Sequence, residues 1–207
     1  MKFPTFRAIT AFVAASALLL QGCFFVREKP PAEPPPAVLS TQPEISMSDE
    51  LVRTTAGDMI ALLPEQWRLV DIEGKASADI FAVAVNPDYT LAAVFSRLRA
   101  VDRGDSLLTR EGVQALARLG MARRERKTGG AVRQMGKISL ITIGARNFGS
   151  YEFTPDGVLQ TRVAVFTSSL GRHYEFALAP VSITGKPPPH ADDISSAFRS
   201  ILTTIQF

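Results

Sequence analysis

The sequence predicts an α+β fold in which a mainly antiparallel sheet is flanked by helices. Strand-like runs follow one another across short turns rich in Pro, Gly, Asn and Asp, which is typical of antiparallel neighbours. Two other stretches repeat apolar residues at helical spacing. Because an element with one apolar face must bury it against another element, we expect these helices to lie on the sheet.

A leader forms the first part of the chain. Lys2 and Arg7 frame its start, and the apolar run from Ala8 to Leu20 is 13 residues long. A helix that crosses a membrane needs roughly 20 apolar residues, so this run is too short to be one. The pattern is typical of a secretory signal peptide. We therefore assign residues 1–22 to a signal peptide that is removed.

The leader closes on Leu20, Gln21, Gly22 and Cys23, and Cys23 is the only cysteine in the chain. This motif resembles the lipobox of bacterial lipoproteins, although Gln21 stands where a small residue is usual. The resemblance implies cleavage before Cys23, a diacylglyceryl thioether on its sulfur and acylation of its new amino group. Two or three acyl chains hold a protein firmly on a membrane, whereas one holds it reversibly. This covalent lipid is the only cofactor we expect.

Two alternatives stay open for the motif: a chance cysteine after an ordinary signal peptide, and an uncleaved anchor. The residue after the cysteine bears on location, because Asp there tends to retain lipoproteins at the inner membrane. This chain has Phe24 instead. We expect a lipid-anchored protein of the cell envelope, on the outer membrane and facing the periplasm if the cell is Gram-negative.

A proline-rich tether, residues 23–44, follows the leader. Its prolines are Pro30, Pro31, Pro34, Pro35, Pro36 and Pro43. Proline lacks the N–H group that a helix or a sheet ladder needs, so we expect an extended, polyproline-like spacer. The alternative is a proline-rich ligand for a partner.

A globular domain is expected over residues 45–207, with three hairpins in its sheet. Their turns are Asn86-Pro87-Asp88, Thr154-Pro155-Asp156-Gly157 and Ser169-Leu170-Gly171-Arg172. These residue types favour turns. In the last strand Tyr174, Phe176 and Leu178 alternate with His173, Glu175 and Ala177. Because this period is two, we expect one face of that strand to be buried and His173 to be partly exposed.

Two amphipathic helices interrupt the strand pattern. The first covers Asp105 to Met121, and Gly120 is expected to end it. The second covers Ile194 to Ile205, after a run of three prolines. Acidic residues near its start complement the positive end of the helix dipole. We expect both helices to cover faces of the sheet.

The stretch Leu63-Pro64-Glu65-Gln66-Trp67, after a first strand, resembles the opening motif of PsbP-like domains. That fold is shared by the photosystem II extrinsic subunit, the Ran-binding Mog proteins and many bacterial lipoproteins of unknown function. A Gly-turn-Tyr strand from Gly171 to Leu178, followed by a terminal helix, resembles their usual end. The resemblance implies α/β/α layers and a role in binding or assembly more than in catalysis. It carries over no functional residue.

Positive charge is concentrated between Arg97 and Lys137, a stretch that contains eleven basic and four acidic residues. The residues expected to form a basic binding patch are Arg97, Arg99, Arg110, Arg118, Arg123, Arg124, Arg126 and Lys127. Guanidinium groups pair well with carboxylate and phosphate, so such a patch fits anionic lipid, a cell-wall polymer or an acidic protein. The alternative is solvated charge. Nucleic acid is not expected, because without the leader 21 basic residues face 20 acidic ones.

No motif for a nucleophile elbow, a phosphate-binding loop, a dinucleotide site or a zinc protease occurs in the chain. The sequence shows no partner residues that would make His173 a catalytic base or a metal ligand. His190 precedes two aspartates that could bind a metal ion with it, but acidic residues are also common at the start of a helix, which is the simpler explanation. We assign no catalytic residue and no metal ligand.

Two function classes remain. The first is a non-enzymatic binding or assembly module of the envelope. The second is an envelope enzyme or a solute-binding lipoprotein with its site between a helix and the sheet. A closed apolar core favours the first class, whereas a deep pocket that gathers His173 or several arginines with carboxylates favours the second.

Overall fold

A large sheet organises the fold in the computed structural model, which describes residues 35–99 and 104–207. Its strands and those of a smaller pair are β1 (Ala37–Val38), β2 (Met47–Arg53), β3 (Ile60–Pro64), β4 (Arg68–Leu69), β5 (Ile80–Val85), β6 (Leu91–Leu98), β7 (Arg133–Ile143), β8 (Arg146–Thr154), β9 (Thr161–Thr167) and β10 (His173–Pro180). The helices are α1 (Gly104–Glu111), α2 (Val113–Lys127) and α3 (Ala191–Thr204). The eight-stranded sheet has the order β1-β7-β8-β9-β10-β6-β5-β4, and β2 pairs with β3 separately.

The predicted α+β fold is confirmed. All strand pairs of the described chain are antiparallel except β1 with β7. The three predicted hairpins are β5–β6, β8–β9 and β9–β10. Two further hairpins were not predicted: β2–β3, and β7–β8, which turns at Gly144 with a φ of 59°. The first half of β7 is polar and exposed, so its sequence lacks the alternation of a half-buried strand.

Helices cover both faces of the sheet. Helix α3 and the β2–β3 hairpin pack on one face, where the ring of Phe198 stacks on Phe176 at 5.3 Å between centroids. Helix α2 packs on the other face, where Leu116 and Ala117 join a cluster with Tyr151. Strand β10 lies between these two apolar clusters.

Strand β10 is buried on both faces, which corrects the prediction that it buries one. His173 is 8% exposed and Glu175 is 7% exposed. Both lie on the face that α2 covers, since Ala177 of the same face belongs to the α2 cluster. The polar residues of this strand therefore lie under a helix rather than in water.

The predicted helix from Asp105 to Met121 is in fact two helices. Gly112, with a φ of 67°, separates α1 from α2. Gly120, expected to end the helix, lies inside α2 instead. A Cβ atom at Gly120 would lie 3.2 Å from the hydroxyl oxygen of Tyr151, so glycine lets the helix approach the sheet closely.

The contacts of the globular part begin at Ala37, upstream of the boundary predicted at residue 45. Strand β1 pairs with β7. Farther along, the backbone N–H of Glu44 donates to the hydroxyl oxygen of Ser200 at 2.9 Å, and its carboxylate accepts from Nε of Arg199 at 2.6 Å. These bonds hold the end of the predicted tether against α3.

The lipobox residues Leu20, Gln21, Gly22 and Cys23 lie outside the described residues, as does most of the tether. The signal peptide and the lipid anchor therefore stay predictions. Within the described ranges, no helix has both the length and the apolar character needed to span a bilayer.

Candidate functional site

A cleft of about 170 Å³ opens between α2 and the strands β5, β6 and β10. We call it the arginine cleft and define it by Arg97, Arg123, Arg124, Lys127, Asp79 and Glu175, which line it. Its four basic residues are half of the predicted patch, and they come from β6 and from the last turns of α2. The structure thus brings these four together, and it places two carboxylates among them.

Asp79 joins two arginines at one end of the arginine cleft. Its carboxylate accepts hydrogen bonds from Nη2 of Arg123 at 3.0 Å and from Nε of Arg99. Burial raises the pKa of this carboxyl, but the bonds from Arg99 and Arg123 outweigh burial and hold the pKa below its usual value. Arg99 is therefore brought beside the cleft.

Glu175 lies beneath α2 and binds a third arginine, Arg124. It accepts hydrogen bonds from the hydroxyl of Tyr151 at 2.9 Å and from Nη2 of Arg124. The Arg124 guanidinium also lies 4.5 Å from the ring centre of Phe153, a cation–π contact. Burial lowers the pKa of Arg124, but the charge of Glu175 outweighs it, so the pKa lies above its usual value. Arg124 therefore stays charged.

Arg97 and Lys127 are the accessible cations of the arginine cleft. Both are exposed. Neither side chain forms a hydrogen bond or an ion pair within the part of the chain that the structure describes. Arg123 and Arg124, by contrast, already bind carboxylates. An anionic ligand would meet Arg97 and Lys127 without displacing a protein carboxylate.

The other predicted patch residues lie outside the cleft. Arg110 and Arg118 both bind Glu111, at 2.9 Å and 2.6 Å. Arg126 donates its Nε–H to the carbonyl of Ala122 at 3.3 Å on the exposed side of α2. Basic residues in the last turn of a helix complement its dipole, so Arg126 has a structural role as well. The structure does not join these three to the arginine cleft.

His173 lies next to the arginine cleft, in a small cavity of about 10 Å³ that Arg99 and Arg123 also line. Its Nδ1 is 3.0 Å from the hydroxyl oxygen of Thr167. His190 is exposed at the N-cap of α3. Among the described residues, no group of three or more His, Cys, Asp and Glu side chains could hold a metal ion.

Sequence reasoning missed a buried carboxylate, Asp58, in the turn between β2 and β3. It accepts hydrogen bonds from the hydroxyls of Thr54, Ser168 and Tyr174, at 2.8, 2.7 and 2.8 Å. Burial raises the pKa of Asp58, but these hydroxyls outweigh burial and lower it. Ser168 lies 110 residues away in the chain, so no local pattern could have indicated this contact.

The fold is similar to that of solved structures. Cyanobacterial PsbP (CyanoP) from Synechocystis superposes with a TM-score of 0.53 at 16% identity, over 78% of this chain and 92% of that one. The Ran-binding protein Mog1p from Saccharomyces cerevisiae has a TM-score of 0.44 at 14% identity, over 78% and 96% of the two chains. The likeness to CyanoP confirms the predicted PsbP-like fold. No family model and no curated protein sequence matches the chain.

Proposed function

We propose that this protein is a non-enzymatic binding or assembly module of the cell envelope, anchored by a lipid on Cys23, that presents its arginine cleft to an acidic partner. The observation that carries the proposal is the pair of exposed cations, Arg97 and Lys127, that have no partner within the described residues. The lipobox-like motif supports the anchor, and with Phe24 it supports an outer-membrane location.

The balance of charge at the cleft favours an anionic partner. Arg97, Arg99, Arg123, Arg124 and Lys127 are five cations, whereas Asp79 and Glu175 are two carboxylates. The two carboxylates bind Arg99, Arg123 and Arg124, and they leave Arg97 and Lys127 to meet a partner. An acidic face of an envelope protein or an anionic polymer fits this surface, and the attraction weakens as salt screens it.

Binding of a small anionic solute is the second candidate, because the cleft does lie between a helix and the sheet and does gather arginines with carboxylates. Two features weigh against it. Its volume of about 170 Å³ is below the roughly 300 Å³ at which ordinary ligand pockets begin. In addition, Asp79 and Glu175 are both engaged with arginines, so neither is a free base for catalysis.

In-cell photo-crosslinking from the cleft tests the proposal. A photo-crosslinking residue at Ser77, which lines the cleft, should trap a discrete partner. The double change Arg97→Glu and Lys127→Glu should remove that adduct, because it places negative charge where the acidic partner binds. Neither change breaks an ion pair within the described chain, so folding should be kept.

Arg126→Glu is the matched control, since Arg126 precedes Lys127 on the same helix but lies outside the cleft. We expect it to leave the adduct intact. Loss of the adduct in both variants would mean that net charge rather than the cleft recruits the partner. An adduct that survives the double change would remove the arginine cleft as the binding surface.

A further inference from the structure

A second cleft, of about 390 Å³, lies at the β4 edge of the sheet, between the turn after β3 and the turn of the β5–β6 hairpin. We call it the aromatic cleft and define it by Gln66, Trp67, Arg68, Asn86, Pro87 and Tyr89, which line it. It shares no residue with the arginine cleft. The inference drawn from it is therefore independent of the proposed function.

The backbone of the aromatic cleft is strained at two places. Gln66 has a φ of 65° and Tyr89 a φ of 56°, and within the described residues these are the only positive φ values outside glycine. A bulky residue rarely adopts this conformation, and Gly or Asn would fit both turns more easily. Residues in such strained conformations cluster at functional sites in proteins. The ring of Tyr89, which is 39% exposed, is the side chain that this strain holds in the cleft.

Most polar side chains of the aromatic cleft carry hydrogen-bond donors that have no acceptor within the described chain. Within the described chain, no hydrogen bond uses the indole N–H of Trp67, the amide of Gln66, the guanidinium of Arg68 or the hydroxyl of Tyr89. The amide oxygen of Asn86, by contrast, already accepts two backbone N–H groups of its own turn, at 2.8 Å and 2.9 Å. The cleft therefore offers donors beside aromatic rings and few acceptors.

A proline-rich chain is the ligand class that fits such a lining. Proline has no N–H, so a proline-rich chain presents carbonyl acceptors and ring faces but few backbone donors. Grooves that recognise such chains are walled by aromatic side chains. A sugar or an ordinary peptide would also need acceptors, and among the side chains that line the cleft the free ones are the amide oxygen of Gln66 and the hydroxyl of Tyr89.

We propose that the aromatic cleft binds residues 30–36 of a second copy of this chain. That segment holds five prolines in seven residues, together with Glu33, whose carboxylate complements the unpaired Arg68. Its last two residues, Pro35 and Pro36, are exposed. The cleft and the segment thus match in hydrogen bonding, in apolar surface and in charge.

The length of chain before β1 favours another copy as the source of this segment. Strand β1, which begins at Ala37, and strand β4 form opposite edges of the sheet. Seven strand spacings separate them, a distance of about 34 Å. The seven residues from Ala37 back to Pro30 reach at most about 25 Å. The proposed occupant is therefore a second copy, and such binding would link neighbouring molecules.

Fluorescence of Trp67 measures the binding, because it is the only tryptophan in the chain. The probe is a synthetic peptide with the sequence of residues 27–37, added to the full-length protein in detergent. We expect a saturable change in Trp67 emission with this peptide, and none with a peptide in which alanine replaces every proline. Equal responses to both peptides, or no response to either, would overturn the proposal.

Tyr89→Asn separates binding from folding. It removes the aromatic ring but suits the positive φ, so the melting temperature should stay the same or rise. The peptide response should weaken by at least about tenfold, as for an aromatic hot spot. Leu170→Asn, at an exposed apolar residue of another turn, is the matched control and should bind as the original does. Unchanged binding by Tyr89→Asn would overturn the proposal.

Crosslinking in cells tests whether the occupant of the aromatic cleft is a second copy of the chain. A photo-crosslinking residue at Asp88, in the turn beside Tyr89, should trap a differently tagged copy of the same chain. Alanine at residues 30, 31, 34, 35 and 36 of the trapped copy should abolish this adduct. If the peptide binds but the adduct forms equally without the prolines, or forms only with a different protein, the second copy is not the occupant.

Discussion

At the scale of single residues, three carboxylates, two of them buried and one half-buried, tie distant parts of the chain together. Asp58 links the β2–β3 turn to β10 and to the turn before it. Asp79 links the start of β5 to α2, and Glu175 links β10 to the same helix. Each accepts hydrogen bonds from at least two side chains in other parts of the fold. Such groups position elements more specifically than apolar contacts, which any side chain of suitable size can make.

Asp58 is expected to be the most sensitive of these residues. Asp58→Ala removes the carboxylate that accepts hydrogen bonds from the hydroxyls of Thr54, Ser168 and Tyr174. These three buried hydroxyls then lose their shared acceptor. The free energy of unfolding should fall by about 3 kcal/mol or more. Urea unfolding followed by Trp67 fluorescence measures this change.

Asp58→Asn is the control, because it keeps the shape and one acceptor oxygen. We expect a loss between that of Asp58→Ala and zero. An alanine variant as stable as the original would show that the hydroxyls find other partners and that the carboxylate does not hold the β2–β3 turn.

At the scale of elements, the segment that leads into β2 is fastened to helix α3. The Glu44 carboxylate accepts from Nε and Nη2 of Arg199 at 2.6 Å and 2.7 Å, a two-point contact, and from the hydroxyl of Ser196 at 2.6 Å. The hydroxyl of Ser200 accepts the backbone N–H groups of Glu44 and Ile45. One face of α3 thus holds the chain where the predicted tether meets the globular part.

This contact makes a predictable contribution to pH dependence. Hydrogen bonds from Arg199 and Ser196 lower the pKa of Glu44 to about 2. A carboxyl with a lowered pKa stabilises the fold above its unfolded pKa and loses that contribution as the pH falls through the folded value. The stability advantage over Glu44→Gln should therefore be complete at neutral pH and vanish between pH 4.5 and about 2. Because the pair is partly exposed, the advantage should not exceed about 1 kcal/mol.

Urea unfolding of both proteins across this pH range checks the prediction. Glu50→Gln is the control, since the Glu50 carboxylate has no ion pair within the described chain. A difference between the original and Glu44→Gln that persists at the acid end would contradict the assignment to this carboxyl.

Elements with local causes could be predicted from sequence, and those with distant causes could not. The three hairpins have turns whose own residues favour the turn, and α3 carries its apolar stripe and its preceding prolines in one short stretch. Gly120 looks like a helix end in the sequence, yet it is the point at which α2 meets Tyr151. Only the packing of β8 against the helix reveals this role.

At the scale of the whole molecule, the candidate site too could be predicted only in part from the sequence. The arginine excess in the sequence left open whether the basic residues adjoin, and the structure places Arg97, Arg123, Arg124 and Lys127 around one cleft. The excess could not indicate that Asp79 and Glu175 would lie among them, because Asp79 precedes β5 and Glu175 lies in β10, far apart in the sequence. As a result, charge reversal at Arg123 or Arg124 would break internal ion pairs, whereas Arg97 and Lys127 can be changed without doing so.

The predicted lipid anchor has a test of its own. If Cys23 carries the lipid, Cys23→Ser should abolish incorporation of labelled palmitate and leave the precursor uncleaved, because the acyl chains have no sulfur to join. Metabolic labelling and mass analysis of membrane fractions measure both effects. Gln21→Ala is the matched control, since it places a small residue next to Gly22, and it should be processed at least as well. A mature Cys23→Ser protein with unchanged membrane partitioning would contradict the anchor.

The pairing of β1 with β7 also bears on solubility. Strand β7 is 11 residues long and would otherwise be an outer strand of the sheet, with unpaired backbone groups available to another molecule. Ala37 and Val38 cover Ile141 and Thr142, and the backbone N–H of Leu39 donates to Thr142 at 3.0 Å. Strand β1 thus covers the most apolar end of the β7 edge and protects it against edge-to-edge aggregation. A truncated chain that began after Leu39 would expose this edge and should aggregate more readily.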